Sequence, residues 1–192
     1  MTRSLAALLV PEVRWDPQRG FAWMQGVIDD ALELGVGGFV IGNGPRAEVA
    51  ALVAALQRDA RQPMLIAAAA ERGAGGAFDG LTGLPPAGAL GALRDDDVVR
   101  RAARLTASEL RGLGVNWALA PCADLAWHAA NPALGARAFG ADAQRVAEWV
   151  ATWVDACQAE GVLAGALHLP GLGRLHVDAT LTPCEVPVDG AT

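Results

Sequence analysis

The sequence predicts an α/β fold of the (β/α) TIM-barrel type, partial, with about the first five of eight βα units. Three observations predict it. Short apolar runs without strict alternation recur along the chain, as strands buried on both faces require. Each run is followed by a segment with apolar residues at helical spacing, the pattern of a parallel sheet covered by helices. The long Gly-, Pro- and polar-rich connections follow runs three, four and five, at the end of a barrel where active sites are built.

The elements follow in order. "LAALLV" (5–10) reads as the first strand, and "FAWMQGVIDDALELG" (21–35) as an amphipathic helix stopped by Gly35. "GGFVIG" (37–42) is a second buried strand, after which Pro45 suits the first turn of a helix. "AEVAALVAALQRDA" (47–60) has apolar residues at i, i+3, i+4 and i+7, and "PMLIAAAA" (63–70) is the third strand. The connection over roughly 71–94 is too long for a simple turn, so it is either functional or poorly ordered. "DDDVVRRAARLTASELRGLG" (95–114) is a helix with acids where the dipole favours them and Gly112 or Gly114 as its stop. "VNWALAP" (115–121) is strand four, "DAQRVAEWVATWVDACQAEG" (142–161) a helix that buries Trp149 and Trp153, and "VLAGAL" (162–167) strand five.

Composition narrows the function. The 192 residues are 53% hydrophobic and 19% charged, enough to bury a core, and are read as one domain over 1–192. No apolar run approaches the length of a membrane helix. The N-terminus is read as a strand rather than a signal peptide, since charge returns at Glu12 and Arg14 and no small-residue cleavage site is present. The net charge of −6 with scattered arginines argues against a nucleic-acid partner. Cys122, Cys157 and Cys184 are odd in number, lack zinc or redox spacing, and read as free thiols of a cytoplasmic protein. All 15 basic residues are Arg, which excludes lysine chemistry within the chain.

Four stretches carry candidate chemistry. "GNGPRA" (42–47) has the G-x-G-x-x-A form between a strand and a helix, where Gly42 and Gly44 could admit a dinucleotide pyrophosphate. The ribose-binding acid is misplaced, however, and Pro45 removes a donor, so a plain tight turn is favoured. Glu71 and Arg72 at the end of strand three could grip a polar ligand, or form a surface ion pair. In "APCADLAWHAANPALGARAFGAD", Asp124 and Arg137 share a loop; Asp124 is either a turn cap or a ligand contact, and Trp127 either packs inside or offers a face to a sugar ring. In "GALHLPGLGRLHVDAT" (165–180), His168 ends strand five, while His176 and Asp178 could form a general acid/base pair. A metal site would recruit His128 and Cys184, but the spacing does not support one, so neither metal nor cofactor is expected.

Taken together these segments resemble the N-terminal domain of glycoside hydrolase family 3, which includes β-N-acetylglucosaminidases and β-glucosidases. "PMLIAAAAERGAGGAF" is similar to the family's P-L-L-I-A-x-D-x-E-G/R-G, and "LRGLGVNWALAPCADL" to L-r-x-L-G-i-n-w-x-x-A-P-v-x-D-v. "ALGARAFGAD" resembles I-g-x-R-S-F-G-x-D, and "LAGALHLPGLGRLHVDAT" resembles K-H-F-P-G-x-G-x-x-x-x-D-S-H. The resemblance implies that Arg137 and His168 contact sugar hydroxyls, that Glu71 matches the family Glu, and that Asp124 is chiefly structural. It implies that Asp178 orients an acid/base group.

Departures from the family pattern set further expectations. Ala69 stands where the family has the strand-three Asp that grips the sugar, Leu167 where it has Lys, and Thr180 where it has the acid/base His. The nucleophilic Asp belongs to a later strand and has no counterpart in this sequence. His176, two residues before Asp178, could form a mirrored pair. The expectation is a retaining glycosidase-like domain for β-linked sugars, inactive or weak on its own. It would either oligomerise or need a further C-terminal segment, because strand five has an unpaired edge. The alternatives are a non-catalytic carbohydrate-binding or interaction module and, last, a nucleotide-binding α/β protein.

Overall fold

The computed structural model describes residues 5–128, 130–179 and 181–186. A five-stranded, all-parallel sheet runs in sequence order: β1 (Glu12–Val13), β2 (Gly38–Ile41), β3 (Leu65–Ala69), β4 (Trp117–Leu119) and β5 (Leu163–Ala164). Its register pairs Val13 with Ile41, Phe39 with Ile66, Ala68 with Ala118, and Ala118 with Ala164. Sequential parallel pairing with helical crossovers is how a (β/α) barrel begins. The helices are α1 (Gln25–Leu34), α2 (Arg46–Asp59), α3 (Ala87–Ala92), α4 (Asp96–Gly112) and α5 (Ala143–Ala159).

Alternation along β3 divides its residues between two sides. Ile66 and Ala68 are buried in the core, whereas Leu65 and Ala69 are exposed on the other face. Val49, Val53 and Leu56 of α2, Val99 and Leu110 of α4, and Trp149 and Trp153 of α5 fill the layer between sheet and helices. The predicted tryptophan face is therefore core, with Phe139 packed 5.8 Å from Trp149. Asp95 caps α4 by accepting from the amides of Asp97 and Val98, and Asp142 caps α5 by accepting from that of Arg145. Gly35, in a left-handed conformation, ends α1 as predicted. Gly112 stays inside α4, and Gly114, with φ of 81°, makes the turn after it.

Two predicted elements need correction, and one open alternative is resolved. The first strand is not 5–10: Leu5–Leu8 form a 3₁₀ turn, and the segment alongside β2 runs from Leu9 to Val13. Its carbonyls at Leu9, Pro11 and Val13 accept from the amides of Gly37, Val40 and Gly42. The shift follows from Gly37, where a Cβ would come within 2.1 Å of the Ala7 carbonyl oxygen, so residues 5–8 fold across that glycine instead of extending. The connection 71–94 is ordered rather than loose, containing α3 and a two-residue parallel ladder of Phe78–Asp79 on Gly44–Pro45. Strand five is shorter than 162–167, continuing only as an isolated bridge between Leu167 and Cys122.

Candidate functional site

The loops after β3, β4 and β5 converge on one cluster. Glu71 lies two residues beyond β3, Arg137 ends a 3₁₀ turn (Gly135–Arg137) in the loop after β4, and His168 follows β5. The Arg137 guanidinium donates from Nε to Glu71 Oε2 at 2.8 Å and from Nη2 to Oε1 at 2.6 Å, a bidentate pair. Nη2 also meets His168 Nε2 at 2.5 Å, and Nη1 donates to the Ala133 carbonyl at 3.0 Å. A guanidinium has only donors, so His168 Nε2 must accept and the ring carries its proton on Nδ1. The His168 backbone adopts φ of 60°, a left-handed conformation that costs an L-residue about 1 kcal/mol or more and is concentrated at functional positions.

The charges follow from these contacts. Burial and then the adjacent Arg137 cation hold His168 below its ordinary value, so its imidazole is neutral at pH 7. The Glu71 hydrogen bond raises Arg137, outweighing its desolvation. Arg137 has five N–H groups, of which Glu71 takes two, His168 one and Ala133 one, leaving a single Nη1–H. The cluster thus holds out two fixed donors: that N–H and His168 Nδ1–H.

Around it, Ala69, Glu71, Arg72, Leu84, Pro86 and Arg137 line a cavity of about 840 Å³, the size range of small-molecule sites. Glu71 bonds Arg137 across the site and not its neighbour Arg72, so the alternative of a Glu71–Arg72 ion pair does not form; Arg72 stands separately in the cavity wall. Asp124 is buried: Oδ1 accepts from the Leu125 amide at 2.8 Å, and Oδ2 has no hydrogen-bond partner among the described residues. Its charge acts on His168 and Cys122. Trp127 is exposed, but Arg174 stacks over its ring at 4.6 Å and occupies one face.

His176 lies against His128, with ring centroids 4.1 Å apart. Asp178 acts electrostatically on Arg137, and its carbonyl accepts from the amides of Leu181 and Thr182. Thr180, the expected departure from the family His, lies outside the described residues. Among the described residues, no group of three or more His, Cys, Asp or Glu is placed to hold a metal. None of the helices there is long and apolar enough to cross a membrane.

One organising residue escaped the sequence reading. Asn131 is buried and satisfied on both ends of its amide: Nδ2 donates to the carbonyls of Leu172 and Leu175, and Oδ1 accepts from the amides of Ala133 and Leu134. It ties the Arg137 loop to the His168 loop. Gly173 completes the junction, since a Cβ there would sit 1.8 Å from the Leu125 carbonyl oxygen. The Asn131-Pro132 dipeptide, a turn signal, was the available clue.

The glycines of 42–47 serve packing. A Cβ on Gly44 would meet Trp15, Val49 and Phe21 at 3.1–3.2 Å, and one on Gly42 would meet Glu12 at 2.6 Å. The Asn43 side chain closes the turn, accepting from the Trp15 amide and donating to its carbonyl.

Residues 7–190 match the glycosyl hydrolase family 3 N terminal domain. The chain belongs to glycosyl hydrolase family 3. It is 42% identical over 140 residues to a β-N-acetylglucosaminidase/β-glucosidase of Cellulomonas fimi, covering 73% of this chain and 25% of that protein. It is 38% identical over 154 residues to a β-hexosaminidase of Xanthomonas campestris pv. campestris, covering 74% and 46%. Among solved structures, the family 3 β-N-acetylglucosaminidase of Paenibacillus sp. str. FPU-7 superposes with a TM-score of 0.81 at 30% identity, over 93% of this chain and 35% of that one. A β-glucoside phosphorylase at 23% identity, with a TM-score of 0.82 over 91% of this chain and 31% of that one, shares the fold. The family 3 chain thus spans between a quarter and a half of the length of these curated relatives.

Proposed function

We propose that residues 1–192 form one partial barrel domain that provides the sugar-facing part of a retaining glycosidase for β-linked N-acetylglucosaminides or glucosides. The observation that carries this reading is the Glu71–Arg137–His168 cluster, assembled from three loops at the C-terminal face of the sheet. Glu71 fixes the guanidinium plane, and Arg137 fixes the imidazole tautomer. The remaining Arg137 N–H and His168 Nδ1–H then donate to sugar hydroxyl oxygens. Asp178, near Arg137, and His176, on the same loop, are the groups nearest an acid/base role. A nucleophilic carboxylate would come from a further strand, either a continuation of the chain or a second molecule completing the barrel. The buried Cys122 and Cys157 thiols suit a reducing cytoplasm and a place in carbohydrate metabolism.

Calorimetry with methyl β-N-acetylglucosaminide and methyl β-glucoside tests the reading. Binding to at least one is expected, and its loss in His168→Ala and Arg137→Ala. Silence toward both removes the sugar-binding role. The 192-residue chain alone is expected to release no nitrophenol from the corresponding aryl glycosides. Turnover clearly above a His168→Ala control would show that it contains its own catalytic pair. A non-catalytic carbohydrate-binding module is the second reading, favoured by Ala69 in the cavity wall where the family motif has an acid. Binding that persists with no activity after a completing segment is supplied would select it.

A further inference from the structure

The cavity has an unbalanced set of side chains. Both Glu71 oxygens accept from Arg137, so the negative charge of the carboxylate on its wall is already matched by that guanidinium. Ala69 contributes a methyl group at the position where the family motif carries an acid. What remains unmatched on the cavity wall is the whole Arg72 guanidinium, which has no hydrogen-bond or ion-pair partner among the described residues, beside one free Arg137 N–H.

The backbone of Arg72 is fixed, while its exposed side chain has no counter-ion among the described residues. Its carbonyl accepts from the Leu84 amide at 2.8 Å, and Gly73 turns the chain with φ of 76°. Gly76 lies close beneath, where an added Cβ would be 3.3 Å from that of Arg72. A neutral sugar can hydrogen-bond in this cavity but leaves the Arg72 charge unmatched. A carboxylate only accepts, and it meets a guanidinium bidentately. The methyl at position 69 removes the like charge that would repel it.

We infer that the cavity takes a β-linked hexuronide, with Arg72 as the counter-ion of the sugar carboxylate. This rests on the sugar-binding reading above and names its substrate class. The test is calorimetry of the full chain with methyl β-glucuronide, methyl β-glucoside and inorganic phosphate at low and high salt. The glucuronide is expected to bind about tenfold more tightly than the glucoside, as a charged hydrogen-bonded contact allows. Salt should reduce that margin, Arg72→Gln should abolish it, and Arg72→Lys should retain part of it. Circular dichroism melts of the variants keep folding separate from binding.

Equal affinity for glucuronide and glucoside, or an undiminished margin in Arg72→Gln, overturns the inference while leaving the sugar site intact. Phosphate binding as tightly as the glucuronide also overturns it, reducing the cavity to an anion site. Failure of both sugars to bind removes the underlying reading too.

Discussion

The bidentate Glu71–Arg137 pair joins the loops after β3 and β4, and a double-mutant cycle measures what that junction contributes. The Glu71 side chain is 15% exposed and that of Arg137 38% exposed, so the pair lies between a buried and a surface ion pair. Breaking a buried pair costs about 3–5 kcal/mol, whereas an exposed one contributes about 0.2–1 kcal/mol. Water reaching the half-exposed guanidinium moves the expected cost of Glu71→Leu or Arg137→Met to about 2 kcal/mol each. For a chain of this size that lowers the melting temperature by about 4–8 °C. The double variant leaves no unpaired charge, so it should be less destabilised than the sum, with a coupling energy of about 1–2 kcal/mol. Urea unfolding followed by tryptophan fluorescence at low protein concentration reads all four corners. Additive effects, with coupling below about 0.3 kcal/mol, would refute the claim that this pair holds the site together.

Other consequences can be checked separately. His168 is held below its unfolded value, so between the two values the unfolded chain binds the extra proton; stability should be constant above about pH 6.5 and fall as pH drops below it. Removing the Arg137 cation should raise the His168 titration midpoint in NMR, and an unchanged midpoint would contradict the assigned contact. Burial pushes Cys157 up to about 12 and raises Cys122, so a thiol reagent at pH 8 should label Cys184 alone until denaturant is added. Asn131→Ala leaves two carbonyls and two amides without partners and should cost about 2–4 kcal/mol in the same urea assay. Leu163 on the edge strand β5 and Leu169 beyond it are exposed, so light scattering should show concentration-dependent association, whereas a monodisperse monomer with a sharp two-state melt would oppose it.

Much of this was legible in the sequence because it depends on local chemistry. Continuous apolar strands, helices bounded by Asp95, Asp142 and Gly35, and the order of units follow from periodicity and capping, which each segment carries within itself. Arg137, His168 and Glu71 were readable as candidates because each follows a strand where a barrel places its chemistry. The position of the first strand was not readable, since an apolar run does not reveal that Gly37 lets the Ala7 carbonyl cross it. Nor was the partner of Glu71, since Arg72 is adjacent in sequence while Arg137 is 66 residues away. Asn131 was hidden for the same reason, its amide being satisfied only when two distant loops meet.

The sequence by itself therefore determined a parallel α/β barrel start, family 3 membership, and which loops carry polar residues. Tertiary structure alone decided that Glu71 is paired with Arg137, that His168 presents Nδ1–H, and that Arg72 is left facing an open cavity. The physical reason is that propensity and periodicity act within a few residues. Hydrogen-bond capacity and charge balance are properties of the whole set of groups the fold brings together.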